Sequence, residues 1–243
     1  MIGPELKIDI EGKRFELLPP LLSGFSLTVE PSSVVALVGA SGVGKSTMLR
    51  MIGGIDTVFT GRVTVDGAPA AEAPPPGFVF QDPRLLPWLS ALDNIRVVRK
   101  DTTRGEAAEM LRRVGLAGYE DAFPHQLSGG MQRRVAIARA FSVNSRLLLL
   151  DEPFVSLDRT LVKEVEALLQ SLLDATRPTT VFVTHLPEDA AMLADRAVVL
   201  AGRPARIVAD FRFDSRRGDR SRTELEHIAN QIAAASLEPA SYG

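Results

Sequence analysis

Residues 34–52 read VVALVGASGVGKSTMLRMI, and the way this stretch divides decides the fold. Its first five residues form a continuous valine-rich apolar run, as expected of a strand covered on both faces. GASGVGKST at 39–47 then fits G-x-x-x-x-G-K-[ST]. In that pattern glycines let backbone N–H groups turn inward around phosphate oxygens, at the start of a helix whose dipole favours anions. TMLRMI supplies the helix. The backbone of Gly39, Ala40, Ser41, Gly42 and Gly44 would form the cradle, Lys45 would reach the β- and γ-phosphates, and Ser46 would ligate Mg²⁺.

Working outward, GFVF (77–80), RLLLLD (146–151) and TVFVTH (180–185) are further short apolar runs. They alternate with helical stretches at 46–54 and 159–173. In the second, Leu161, Val162, Val165, Leu168, Leu169 and Leu172 fall on one stripe at helical spacing. That alternation is the βαβ pattern and predicts a mostly parallel sheet. LKIDI (6–10), FSLTV (25–29) and RVTVD (62–66) alternate or are rich in β-branched residues, with Gly/Pro punctuation between them, and predict antiparallel strands. Residues 84 to about 126 break the rhythm: EAAEMLRRVGL is helical and no clear strand occurs. AVVLAGRPARIVADFRF (197–213) predicts two strands joined at Gly202–Pro204. Residues 221–235 predict a terminal amphipathic helix opening with a capping box at Thr223 and Glu226.

The expected organisation is one α/β domain. Its nucleotide-binding core and antiparallel β subdomain take 1–83 and 146–215, a helical insert takes 84–145, and a helical tail takes 216–243. A length of 243 residues with 45% hydrophobic content suffices for a substantial core. Twenty-eight basic and 30 acidic residues leave a net charge of −2, so no overall basic field exists to hold nucleic acid or an anionic bilayer. The absence of cysteine excludes disulfides, zinc-thiolate sites and thiol catalysis. No apolar run approaches the roughly 18 residues of a spanning helix, and no signal-peptide stretch opens the chain. The expected location is cytoplasmic, with any membrane attachment local.

LLLLDE (147–152) places two carboxylates at the C-terminal end of a buried strand, where open α/β sheets place ligands. Asp151 would hold Mg²⁺ through a water and Glu152 would take a proton from an attacking water; alone, the pair would read as solvated strand-end acids. Gln81 and His185 each follow a predicted strand, and gain meaning together because a parallel sheet brings those ends to one edge. LSGGMQ (127–132) precedes the helical RRVAIARAF, so Ser128, Gly129 and Gly130 could turn N–H groups, a hydroxyl and a helix N-terminus toward an anion. One nucleotide already fills the first loop. The second loop is therefore either a glycine-rich N-cap or a binder of the γ-phosphate of ATP seated on a second copy, two copies packing head to tail.

The ordered set GASGVGKST, Gln81, LSGGMQ, LLLLDE, SLD (156–158) and His185 resembles the ATP-binding cassette (ABC) ATPases over nearly the whole chain. The resemblance implies that Lys45, Ser46 and Thr47 are Walker A residues and that Gln81 belongs to the Q-loop, near the metal. It makes Asp151 and Glu152 the Walker B aspartate and catalytic glutamate, Asp158 the D-loop acid and His185 the switch histidine. It also makes Ser128 and Gly130 signature residues completing a partner's site. An aromatic residue upstream of Walker A stacks on adenine in this family; Phe15 is the positional candidate, Phe25 lying inside a strand-like run.

FQDPRLLPWLSALDNIR (80–96) and ADRAVVLAGRPARIV (194–208) look like the ATPase subunits of nitrate, sulfonate, taurine and bicarbonate importers, and of uptake systems for thiamin-precursor pyrimidines. That implies a permease helix docking near Leu85, Leu86, Pro87 and Trp88, and an extracytoplasmic solute-binding protein beyond it. The chain would lie at the cytoplasmic face of the membrane. The alternatives are a soluble ABC ATPase acting on nucleic acid or ribosomes, or a nucleotide-gated scaffold. Three departures stand out. EPSSVV (30–35) replaces the usual Gly-Glu, SVNSRLLLL (142–150) lacks a common proline, and Leu186 follows the histidine where Asp or Asn is common.

Overall fold

A computed structural model describes residues 2–15 and 19–237; Met1, residues 16–18 of the expected core segment and residues 238–243 of the expected tail lie outside the described residues. Among the described residues ten strands form two sheets. The smaller is ordered β2 (Leu22–Val29), β1 (Leu6–Lys13), β4 (Thr60–Val65), β5 (Ala68–Pro69), antiparallel throughout. Leu6 faces Val29, Ile8 faces Leu27 and Ile10 faces Phe25, so one face of β1 and β2 is apolar by register while the other meets solvent.

The larger sheet is ordered β10 (Arg206–Arg212), β9 (Arg196–Ala201), β3 (Val34–Gly39), β8 (Thr179–Thr184), β7 (Leu147–Asp151), β6 (Gly77–Val79). All neighbours are parallel except β10 on β9. The apolar runs of β3, β7 and β8 do not alternate because both faces are buried. Val35, Leu37, Leu149, Val181 and Val183 pack with α1 (Lys45–Ile52) and the smaller sheet. Ala36, Val38, Leu148, Leu150 and Phe182 pack on the opposite side with the remaining helices.

Between β6 and β7 the chain forms α2 (Ala91–Arg96), α3 (Arg104–Arg113) and α4 (Gly129–Ser142). α5 (Arg159–Thr176) follows β7 and buries Val165, Leu169 and Leu172 of the predicted stripe. α6 (Pro187–Leu193) follows β8, and α7 (Arg222–Leu237) packs on it through Ile228, Ala229 and Ile232. The capping box expected at Thr223 and Glu226 does not form. Ser221 takes the cap, its Oγ accepting from the Glu224 N–H at 3.3 Å, which places Thr223 inside the helix, while Glu226 pairs with Arg222. Ser221 is itself a good N-cap and lies one step outside the first helical turn, so it satisfies the free N–H before Thr223 can.

Candidate nucleotide site

Parallel pairing brings the C-terminal ends of β3, β6, β7 and β8 to one edge, with Val38 beside Thr184 and Asp151 beside Val183. The loop after β3 is held tightly from both sides. A Cβ on Gly39 would sit 2.5 Å from the Leu200 carbonyl oxygen, so no other residue fits. Gly44, at φ +112°, caps α1 with no side-chain hydrogen bond, in the left-handed region that favours glycine. Lys45 is buried, its Nζ donating to the Gly39 and Ala40 carbonyls at 2.7 and 3.1 Å and lying 3.8 Å from Glu152 Oε1. Burial pulls its pKa below the usual lysine value, and Glu152 and Asp151 work against that pull.

Ser46 Oγ donates to Asp151 Oδ1 at 2.8 Å, joining the helix start to the end of β7. Glu152, the next residue, sits at φ +47°, a conformation costly for a residue with a side chain. Its Oε2 lies 2.8 Å from His185 Nδ1. Behind the histidine, Thr184 Oγ1 donates to buried Asp189 at 2.6 Å and accepts from the Leu186 N–H at 3.0 Å. Leu186 thus contributes its backbone to the bracket while its side chain points to solvent, and His185 keeps its reach to Glu152. Burial raises the Asp189 carboxyl to about 6, with Thr184 opposing and Glu152 and Glu188 adding to the rise.

A cavity of about 500 Å³ joins Phe15, Ser41, Gly42, Gly44, Lys45, Ser46, Thr47, Gln81, Glu152 and His185. Gly39 and Ala40 contribute carbonyls beneath it, and Asp151 lies buried under Ser46. Ser128, Gly130 and Asp158 are not there. They line a separate exposed hollow with Arg134 and Leu161. Ser128 and Asp158 are each bonded to the helix that they cap. Ser128 Oγ accepts from the Met131 N–H at 3.2 Å, and Asp158 Oδ1 accepts from the N–H groups of Thr160 and Leu161 at 2.9 and 3.0 Å. Gly129, exposed between Ser128 and Gly130, opens α4.

Three cations were missed by sequence reasoning. Lys13 is buried under the Phe15 ring, its Nζ 4.9 Å from the ring centroid and bonded to Asp56 and the Val58 carbonyl. Arg203 lines the cavity from the β9–β10 turn, which is fastened to the mouth of the loop by the Ala205 N–H donating to the Leu21 carbonyl at 2.8 Å. Arg133, in α4, is buried against the ends of β6 and β7. Its helical spacing to Ile137 and Ala140, both buried, was the one available signal. Among the described residues no group of three His, Cys, Asp or Glu side chains forms a metal cage. The Ser46–Asp151 pair and Gln81 offer only oxygen donors, the set that suits Mg²⁺ held jointly with phosphate oxygens.

Residues 22–155 match the ABC transporter family. The chain is similar to the taurine import ATP-binding protein TauB of Rhizobium johnstonii, at 41% identity over 79% of this chain and 76% of that protein. It is also similar to the aliphatic sulfonates import ATP-binding protein SsuB 1 of Xanthomonas axonopodis pv. citri, at 38% identity over 88% of each. Among solved structures it resembles the ATP-binding cassette MJ0796, whose structure is a dimer in a post-hydrolysis state bound to ADP and Pi. The TM-score is 0.74 at 30% identity, over 89% of this chain and all of that one.

Proposed function

The chain belongs to the ABC transporter family, and on that premise we propose that it hydrolyses MgATP at two composite sites of a homodimer to energise uptake of a small nitrate-, sulfonate- or taurine-type solute through a membrane permease. The observation that carries the reading is the convergence of Lys45, the Ser46–Asp151 pair and the Glu152–His185 pair at one sheet edge, with Ser128 and Gly130 left facing outward.

The residues divide the work as follows. N–H groups of Ser41 to Thr47 and the Lys45 ammonium bind the phosphates; Phe15 offers a ring face for adenine. Ser46, Asp151 and Gln81 would hold Mg²⁺, which neutralises charge on the phosphates when bound. Glu152 accepts the proton of the attacking water, and His185, paired to Oε2, fixes the carboxylate and stands beside the phosphoryl group being transferred. Ser128 and the α4 N-terminus of the second copy close over the γ-phosphate. Asp158 braces the same face.

No helix among the described residues is long and apolar enough to cross a membrane. Membrane location then follows from a permease, and Trp88, 69% exposed beside half-buried Leu85 and Leu86, supports a contact there. Buried Asn94 holds that loop, bonding the Leu86 N–H and the carbonyls of Leu86, Leu89 and Ser90. The solute-binding protein would act beyond the permease, on the far side of the membrane. The test uses Glu152→Gln: turnover should fall at least a hundredfold, and ATP should then trap a dimer detectable by light scattering. A strictly monomeric chain turning over ATP at the wild-type rate would end the proposal.

A further inference from the structure

Arg133 is 2% exposed and, among the described residues, hydrogen-bonds no carboxylate. Its guanidinium instead donates to four backbone carbonyls in two separate loops. Nη1 reaches Phe80 and Gln81 at 2.7 and 2.8 Å, Nη2 reaches Glu152 at 2.7 Å, and Nε reaches Pro153 at 3.1 Å. A buried charge is a poor device for packing alone, since an apolar side chain of similar volume would do as well. What the planar fork supplies is fixed relative placement of the groups it binds. Those groups carry Gln81 and Glu152, which line the nucleotide cavity.

Glu152 gives the arrangement its meaning. At φ +47° it holds a conformation that persists only where the surroundings over-determine it. Its N–H is bonded to the Val183 carbonyl and its own carbonyl is held by Arg133, so both ends of the strained residue are pinned. Arg139, farther along α4, repeats the device: it donates to the carbonyls of Pro83 and Arg84, and Arg84 lies at φ +46°. One helix thus clamps a left-handed residue in each of the loops after β6 and β7. The same helix is capped by Ser128, about 7.5 Å of rise before Arg133.

We propose that Arg133 is a positioning residue, through which the seating of Ser128 and Gly130 on the partner's nucleotide sets the placement of Gln81 and Glu152 in the protomer's own site. This rests on the composite-dimer reading above. Closure on one nucleotide shifts α4 as a unit, and the fork carries that shift to the two groups that face the other nucleotide. The two sites of the dimer are coupled through one side chain in each protomer.

The experiment measures steady-state ATP turnover, fluorescent MgADP affinity and melting temperature for Arg133→Gln and Arg133→Lys. The expected result is a kcat at least tenfold lower for Arg133→Gln, a smaller loss for Arg133→Lys, and KM and MgADP affinity within about twofold of wild type. A double-mutant cycle with Ser128→Ala should be non-additive on kcat by fivefold or more. Wild-type kcat in Arg133→Gln, a parallel loss of MgADP affinity, or multiplicative effects in the cycle would overturn the coupling.

Should both variants fail to fold, hydrogen exchange on the wild-type chain decides. MgATP must change protection of residues 80–84 and 129–134 together, and independent responses would overturn the coupling. If the wild type forms no ATP-dependent dimer, it is the parent reading that falls. If it does, and the Arg133 variants behave as wild type, only this inference falls.

Discussion

The loops at 39–47 and 127–132 both lead a glycine-rich turn into a helix N-terminus, yet they are finished in opposite ways. α1 begins at left-handed Gly44 with no side-chain cap, so its first N–H groups stay open toward a cavity that already holds Lys45, Ser46, Gln81, Glu152 and His185. α4 is capped by its own Ser128 and opens on an exposed hollow beside Asp158, itself engaged in capping α5. Both loops have the local physics of an anion site. Only the first has the candidate catalytic side chains Glu152 and His185 of its own chain around it. Similar local sequence therefore gives both loops the backbone groups that suit an anion, while the surrounding strands decide which other side chains such an anion would meet.

The largest effects should separate the two loops. Lys45→Ala removes the buried ammonium bonded to the Gly39 and Ala40 carbonyls of the first and should lower both turnover and MgADP affinity of the isolated chain, turnover by at least about a hundredfold. Gly130→Val, whose Cβ would meet Leu161 Cδ2 at 2.7 Å, should lower turnover tenfold or more and leave MgADP affinity unchanged. If titration of a fluorescent nucleotide finds both variants equally impaired, the distinction between the loops is wrong.

A smaller effect tests the interior of the first loop's surroundings against the exposed second. Asp189 is buried and its carboxyl is raised from 3.8 to about 6, so the folded state holds the proton more tightly than the unfolded chain. Its contribution is therefore fully present below pH 3.8 and is lost as pH rises through about 6. Asp189→Asn keeps an acceptor for Thr184 and removes the titration. Relative to wild type it should gain up to about 3 kcal/mol at pH 8 and nothing at pH 3.5, read by urea denaturation at each pH. A difference that does not change with pH would refute the assignment.

Phe15→Ala tests the rim of the same cavity: losing one stacking face should weaken MgATP binding roughly tenfold, from about 1–2 kcal/mol of stacking, while binding of inorganic triphosphate, which has no base to stack, stays unchanged. The smallest contrast lies between two threonines in T-x-x-E. Thr103 forms a full capping box with Glu106 on α3, so Thr103→Ala should cost about 1 kcal/mol by thermal denaturation. Thr223→Ala should stay within about 0.5 kcal/mol, because Ser221 holds that cap.

These threonines also mark how far reading the sequence reaches. Both fit the same four-residue pattern, and only the position of the first helical turn tells them apart. The strands, in contrast, were legible because burial writes itself into period: β1 alternates with one face covered, while β3, β7 and β8 are apolar throughout because both faces are. The candidate phosphate residues were legible because their chemistry depends on neighbours within nine positions, 39–47.

What the sequence alone determined was this local content: which segments are strands, where a turn presents its N–H groups, which acids end a buried run. The tertiary structure alone decided which cations go inward. Arg133 and Arg134 are adjacent and chemically identical, yet the first is buried on carbonyls 19 to 53 residues away and the second pairs with Glu164 at the surface. The same holds for Arg203, which lines the cavity, and Lys13, which lies against Phe15 at its rim: their places depend on strands brought together from both ends of the chain. A motif records the groups a ligand must meet; the partners of a buried charge are set by folding, because only the assembled strands place enough carbonyl oxygens around it to replace water.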